Sequence, residues 1–411
     1  MKIITLITKF LLIFVLTLTL DSQTTWVAQV SGTTQNLYSI FFPNVNTGYT
    51  VGNNGTVRKT TNGGTNWTGL TSGTTNNLYE VFFLDVSTGF ISGAGGTVRK
   101  TTNGGTNWTG LTTGTTQTLY EVYFVDPNTG YAAGTGGTIR KTTNGGTNWT
   151  GLTSGTTQNL YEIHSSSNGN LYTVGQAGTI RCSTNGGSNW YGQSSGVNNL
   201  LYDVRFSNFF DVNDLYAIGS NGIIVKTTNG GINWYTLVTG TNNDLHEIHF
   251  THPVIGYTVG NNGIILHTAN AGLNWIQQVS GTNNNLWSVF FPTMNVGYTV
   301  GENGTIRKTT TGFVGIQPVN NSIPDYYGLS QNYPNPFNPN TKIEFQIPKS
   351  SMTKLTVYDL LGKEINTLVN EQLEAGIYEI SFSAFGLPSG VYYYSLSAGG
   401  FSDTKKMILI K

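Results

Sequence analysis

The chain has 411 residues, only 10% of them charged, and its 20 basic and 20 acidic residues balance to a formal charge of zero. That length allows two or three domains, while the charge pattern offers no global basic surface to nucleic acid and no charge run of a disordered tail. The single cysteine, Cys182, excludes an intramolecular disulfide, so stability has to come from packing. Gly numbers 53 and aromatic residues make up 12%, a mix that suits short strands joined by tight polar turns.

Residues 1–22 read as a secretory signal peptide. Lys2 and Lys9 supply the positive flank, and Phe10–Leu20 is an apolar core too short to span a membrane comfortably. Cleavage is expected near Ser22, although Leu20 is not the small residue usual at the third position before a cut. No cysteine stands there to carry a lipid anchor.

From Leu37 onward one unit recurs. Its ruler is the first glycine of a GxxG turn: Gly52, Gly93, Gly134, Gly175, Gly219, Gly260 and Gly301, spaced 41, 41, 41, 44, 41 and 41 residues apart. The three extra residues of the fifth unit fall around Asn208–Asn213. Each unit offers four strand-like runs, in the second unit Leu78–Leu84, Gly89–Gly93, Thr97–Thr102 and Asn107–Leu111, separated by DVSTG, GAGG and NGG turns. A repeated four-stranded unit of about 40 residues predicts a β-propeller rather than a helical solenoid.

The tryptophans close the ring. Trp67, Trp108, Trp149, Trp190, Trp234 and Trp275 each open a fourth strand, and the seventh unit has none. Trp26 lies 41 residues before Trp67 and belongs to no complete unit. The N-terminal segment is therefore a fourth strand without its first three, and pairing it with the seventh unit removes two exposed edges. A seven-bladed propeller over residues 23–312 follows.

The turn before each tryptophan resembles the Asp-box of sialidase-type (BNR) repeats, with Asn62, Asn103, Asn144, Asn185 and Asn229 where that family has aspartate. The whole unit is similar to the BNR-like propellers of the photosystem II stability/assembly factor family. Physically, the asparagine can accept backbone N–H bonds within the hairpin, and the tryptophan can cover the turn and fill the space between blades.

A linker over residues 313–328 breaks the repeat, and residues 329–411 carry alternating strands with Gly and Pro turns. The fold class expected is all-β: a seven-bladed β-propeller closed by the N-terminal strand, then a small Ig-like β-sandwich. The sandwich resembles the type A C-terminal sorting domain of the bacterial type IX (Por) secretion system. The resemblance rests on Asn332, Tyr333, Pro334, Asn335, Pro336 and Phe337, on the VYDLLG turn ending at Gly362, on SGVY with Gly390, and on Lys405 and Lys406. It implies the type IX machinery as a partner, export through the periplasm and across the outer membrane, and then release or attachment at the cell surface.

Two charged positions recur. Strand one carries Glu80, Glu121, Glu162, Asp203 and Glu247, with Ser39 and Ser288 in units one and seven. Strand three carries Arg58, Arg99, Arg140, Arg181 and Arg307, with Val225 and Leu266 in units five and six. With strand one innermost, the acids lie near the central channel, where they bind a cation or basic segment, pair with arginines of adjacent blades, or stay solvated at the rim. Val and Leu in the arginine position point to a half-buried site. Both arcs are candidates for a protein- or glycan-binding face.

His246, His249, His252 and His267 fall in unit six, but alternation along a strand separates the first two, and no metal or cofactor is expected. The near-identity of the copies argues against catalysis, which needs residues that differ between blades. The expected function is binding of an unknown protein or glycan by a secreted or surface-attached monomer, on the face of the SGTTxN and GxxG turns. Two other readings stand beside it: a sialidase-like surface glycoside hydrolase, which needs two converging acids, and an assembly factor for a membrane complex.

Overall fold

The computed structural model describes residues 26–208, 211–310, 317–320, 323–338, 340–384 and 387–410. The predicted signal peptide lies outside these residues. Seven four-stranded antiparallel sheets follow one another around a ring, and two further four-stranded sheets form a C-terminal sandwich. Strand one of every blade packs against strand one of both neighbours, so the first strands line the axis.

The second blade has strands Leu78–Phe83, Gly89–Gly93, Val98–Thr101 and Thr109–Leu111. The last blade is composite. Val27–Gln29 completes it, pairing with Ile306–Lys308 at Val27↔Lys308, Ala28↔Arg307 and Gln29↔Ile306. Both open edges of the array are thereby satisfied by one strand.

The apolar core lies between blades rather than within them. Tyr49 from strand two of blade one stacks on Phe83 of blade two at 4.0 Å, and Trp108 meets the same Phe83 edge-on at 6.0 Å. Val51 and Val57 face Leu78, Val81 and Ile91 in the same cluster. The stacking and edge-on contacts recur between blades seven and one, through Tyr298, Phe42 and Trp67. The ruler glycine is set by close approach: a Cβ on Gly52 would stand 1.8 Å from the Asn36 carbonyl oxygen, where no side chain fits.

The sandwich has its own core around Phe337, Phe345, Leu355, Val357, Tyr394 and Met407. Gln317–Asn320 and Gly328–Leu329, at the predicted linker and its border, are edge strands of one of its sheets, beside Gly376–Ser383 and Asn340–Ile347. The Pro-rich motif locks the last strand: Phe337 is buried, its N–H donates to the Ile408 carbonyl at 2.9 Å, and Asn335 Oδ1 accepts from the Ile408 N–H at 2.9 Å. Asn332 is buried and donates through Nδ2 to the Pro334 carbonyl and Thr341 Oγ1. Gly362 takes φ +79° to close the turn capped by Asp359, while Gly390 opens a strand, Lys405 pairs with Asp403 and Lys406 is exposed.

Ring closure leans on Trp26, which is buried, edge-on to Phe291 at 5.9 Å and bonded through Nε1 to Gln278 Oε1 at 2.9 Å. Trp26→Ala is expected to lower unfolding free energy by about 3–5 kcal/mol, read as a drop in the urea midpoint.

Candidate functional site

Seen along the axis, the first strands present three stacked rings of side chains. A bulge between the first and third residues of strand one, as between Leu78 and Glu80, shifts the register in each blade but not the pattern. The ring nearest the GxxG and SGTTxN turns is aromatic: Tyr38, Tyr79, Tyr120, Tyr161, Tyr202, His246 and Trp287, all half-buried. Neighbouring centroids lie 4.8–5.6 Å apart from Trp287 through Tyr38 to His246. His246 Nε2 bonds Asn261 Oδ1 of a GxxG turn at 2.7 Å, which ties the collar to that face.

Beneath the collar lie the five predicted acids. Glu121, Glu162 and Asp203 are buried, and Glu80 and Glu247 are half-buried. They neither pair with the recurring arginines nor sit solvated at the rim; they turn toward one cation, Arg205. Its guanidinium lies 3.1 Å from Asp203, 3.2 Å from Glu162 and 3.6 Å from Glu247. The third ring holds Phe41, Phe82, Tyr123, His164, Arg205, His249 and Phe290, with His164 Nδ1 3.0 Å from Arg205 Nη1. Arg205 occurs once, at a place where other blades carry an aromatic ring or histidine, and that exception was the signal available in the sequence.

Five carboxylates crowded around one guanidinium in a half-buried channel do not all ionise at their ordinary pKa. Burial, then neighbouring acids, holds Glu80 and Glu121 well above the usual carboxylate range. Burial does the same to Glu162 against the opposing pull of Arg205, and raises Glu247 to about 7. Contact between the two carboxyls adds to the rise of Glu121 and offsets part of that of Glu162. Burial opposes the charge of Arg205, but Asp203, Glu162 and Glu247 outweigh it and push its pKa up. Burial, helped by Arg205, lowers His249 to about 3 and holds His164 well below its ordinary value. The cluster also stitches blades together: the Ile248 N–H donates to Asp203 at 2.8 Å and the Val289 N–H to Glu247 at 3.0 Å. In blades seven and one the serines take over, with Ser288 accepting from Ile40 and Ser39 from Val81. Among the described residues, no group of three or more His, Cys, Asp or Glu is arranged to hold a metal ion.

The recurring arginines lie elsewhere. Arg58, Arg99, Arg140 and Arg307 each donate to a glycine carbonyl in the turn after the preceding blade's fourth strand: Gly32, Gly73, Gly114 and Gly281. Arg181 lies against Gly155 in the same way. On the way, four of them cross their own strand four at Gly69, Gly110, Gly151 and Gly192. Where the arginine becomes Val225 or Leu266, the facing residue is Thr236 or Gln277.

The Asp-box-like turns face the opposite end. Asn62 Oδ1 accepts from the Asn66 N–H at 3.0 Å, and Thr60 Oγ1 accepts from the Gly64 N–H at 2.9 Å. Asn103, Asn144, Asn185 and Asn229 repeat the bond, as does Asn270, which the sequence comparison did not single out. The preceding blade clamps the turn: Tyr298 Oη and Lys308 Nζ both donate to the Gly63 carbonyl at 2.7 Å. Trp67, Trp108, Trp149 and Trp190 are buried behind the turns, whereas Trp234 and Trp275 are half-buried. Of the unit-six histidines, His246 and His249 join separate axial rings, and His267 lies against Tyr257.

Carboxyls raised from an ordinary 4.5 stabilise the fold below that value and lose the contribution as pH rises through about 7 and beyond. Histidines lowered from 6.5 act oppositely, but only below 6.5. Stability is therefore expected to fall from pH 6.5 to 8.5, by about 1.4 kcal/mol per pH unit for each carboxyl still protonated in the fold; Glu121→Gln should flatten that slope in urea titrations. A Cβ on Gly151 would stand 2.7 Å from Arg140 Nη1, so Gly151→Thr is expected to cost about 1–3 kcal/mol. Arg140→Val should recover most of that loss in a double-mutant cycle, because it recreates the pairing of blade five.

The family described as Photosynthesis system II assembly factor YCF48 matches residues 18–114, 106–194 and 192–281, and the Secretion system C-terminal sorting domain matches residues 331–411. No curated protein matches the chain. Among solved structures, YCF48 bound to D1 peptide is similar at 21% identity and a TM-score of 0.61, covering 70% of this chain and 97% of that one. YCF48 from Cyanidioschyzon merolae is similar at 19% identity and a TM-score of 0.61, covering 69% and 98%. The WD40 β-propeller domain of Doa1 is similar at 14% identity and a TM-score of 0.58, covering 69% and 96%. At such identities the likeness speaks to fold alone. The C-terminal domain is a sorting signal for type IX secretion, to the cell surface or extracellular space. The propeller matches together span residues 18–281, more than half of 411 residues, and the chain accordingly belongs to the family of YCF48-like assembly-factor repeats.

Proposed function

We propose that the propeller is an extracellular binding scaffold for a protein or polysaccharide, working on the face of the GxxG and SGTTxN turns. The aromatic collar around the channel mouth carries this reading. Half-exposed rings with polar surroundings are the usual anchors of recognition surfaces, since they offer large contact area at little conformational entropy.

Around the collar the same face is grooved. In blade two a groove of about 740 Å³ runs between Gly95–Arg99 and Gly110–Gln117. Equivalent grooves of about 470 and 460 Å³ lie in blades four and six. Their walls are hydroxyls, amides and glycine backbone, with Arg99 and Arg181 in the first two. Repetition at fixed intervals suits a ligand with repeating or extended structure, engaged at several points at once. One YCF48 structure holds a D1 peptide, which makes an extended peptide a reasonable form of protein ligand.

The acids give a hydrolase little to work with. Glycoside hydrolysis needs a carboxyl pair open to the substrate, whereas Glu162, Asp203 and Glu247 are tied to Arg205, the last two also to neighbouring amides, and Glu121 is buried beside them.

The test is a glycan and surface-peptide binding screen with the full chain. Tyr120→Ala with Tyr161→Ala is expected to weaken the best ligand at least about tenfold, and Thr116→Lys at a groove wall should weaken it further. Thr102→Lys, at the Asp-box end, should leave it unchanged. Binding lost with Thr102→Lys and kept by the collar variants would move the site to the opposite face.

A further inference from the structure

Blade five departs from the repeat at one turn. Between its first two strands it carries the three extra residues around Asn208–Asn213, and with them two acids, Asp211 and Asp214. Asp214 stands directly before strand two, where blades one to three have Thr47, Thr88 and Thr129 and blade four has Asn170. Asp214 and Lys226 are both buried, with the ammonium 3.0 Å from Asp214 Oδ1, and Ser207 Oγ donates to Asp214 Oδ2.

The fold does not require this ion pair. Lys59, Lys100, Lys141 and Lys308 hold the same strand-three position half-buried, and each donates to a glycine carbonyl of the following blade at 2.7–2.8 Å. Those blades close without a carboxylate there. Burying two charges costs desolvation that their attraction roughly offsets at best, so stability does not explain Asp214.

The pair instead faces a cavity of about 410 Å³ at the Asp-box end, between blades five and six. That volume suits a small organic ligand. The charged side chains lining it are Asp211, Asp214 and Lys226. Lys226 has no free donor, since Asp214, Tyr216 Oη and the Ala271 carbonyl take its three N–H groups. The carboxylates keep acceptor capacity: Asp214 receives one hydroxyl and one ammonium, and Asp211 Oδ1 receives the Asn213 N–H. Much of the remaining wall is apolar, with Tyr235, Leu237 and Leu273 on the propeller and Phe382 and Leu387 from the sandwich.

We propose that this cavity binds a small aromatic amine, its ammonium held by Asp211 and Asp214 and its ring against Tyr235 and Leu273. Two carboxylates beside one ammonium leave an excess of negative charge, which favours a cationic head over an anionic one. The site is independent of the collar and the grooves, which belong to the GxxG face.

Phenethylamine is titrated into the full chain by calorimetry, beside 3-phenylpropanoate, which has the same ring and ethylene spacer but the opposite charge. Saturable binding of the amine is expected, at least about tenfold tighter than that of the acid. Asp214→Thr restores the residue of blades one to three and keeps Lys226, while Asp211→Asn neutralises the second acid without touching the buried pair. Each should weaken the amine at least about tenfold, and Thr88→Ala, at the equivalent position of blade two, should leave it unchanged. No saturable binding at millimolar amine, equal affinity for amine and acid, or affinity indifferent to both aspartate variants would overturn the proposal. So would binding lost with Tyr120→Ala and kept by Asp214→Thr, by moving the amine to the collar.

Discussion

No blade of this propeller can bury its apolar surface alone. Tyr49 needs Phe83 of the next sheet and Tyr298 needs Phe42 of the first, so every interface presupposes the one before it and the ring has to close. Closure falls to three residues, Val27–Gln29, and to the tryptophan that precedes them. A repeat array without that strand would leave one blade a strand short and an open edge where pairing with another chain is favoured.

Closing the ring creates a second constraint at the axis, where seven strands converge and their inward side chains are buried or half-buried. Five acids occupy one ring there, and a lone guanidinium answers them. The arrangement is tolerable because burial raises the pKa of several of the carboxyls and because backbone N–H groups of the following blade donate to Asp203 and Glu247. The acidic arc therefore belongs to the fabric of the ring. The proposed recognition rests on the aromatic collar above it and on the grooves between turns.

The recurring arginines show how the same logic operates at the periphery. Four of them reach from strand three across a glycine in strand four toward the preceding blade, and Arg307 does so across Ala28. Their charge is spent on a backbone oxygen at the blade boundary rather than on a carboxylate. The correlation of arginine with a facing glycine, and of Val225 or Leu266 with larger facing residues, is visible in the sequence once the pairing register is known. Before that, the two columns of the repeat look unrelated.

The ring itself was written in the sequence: the spacing of Gly52 and its equivalents, the spare Trp26 and the missing seventh tryptophan specify seven blades, because each unit repeats the same local turn chemistry. The C-terminal sandwich was equally legible, since PNPF and the Gly turns name local geometry. What the acids do was not legible. Side chains in five different blades meet only after the ring closes, and the residue that organises them, Arg205, occurs once and so carries no periodic signal. The collar was hidden for the same reason, because the tyrosines read as ordinary strand residues until convergence at the axis sets them side by side. Local turns are encoded locally; partners separated by 41 residues or more are decided by the curvature of the closed ring.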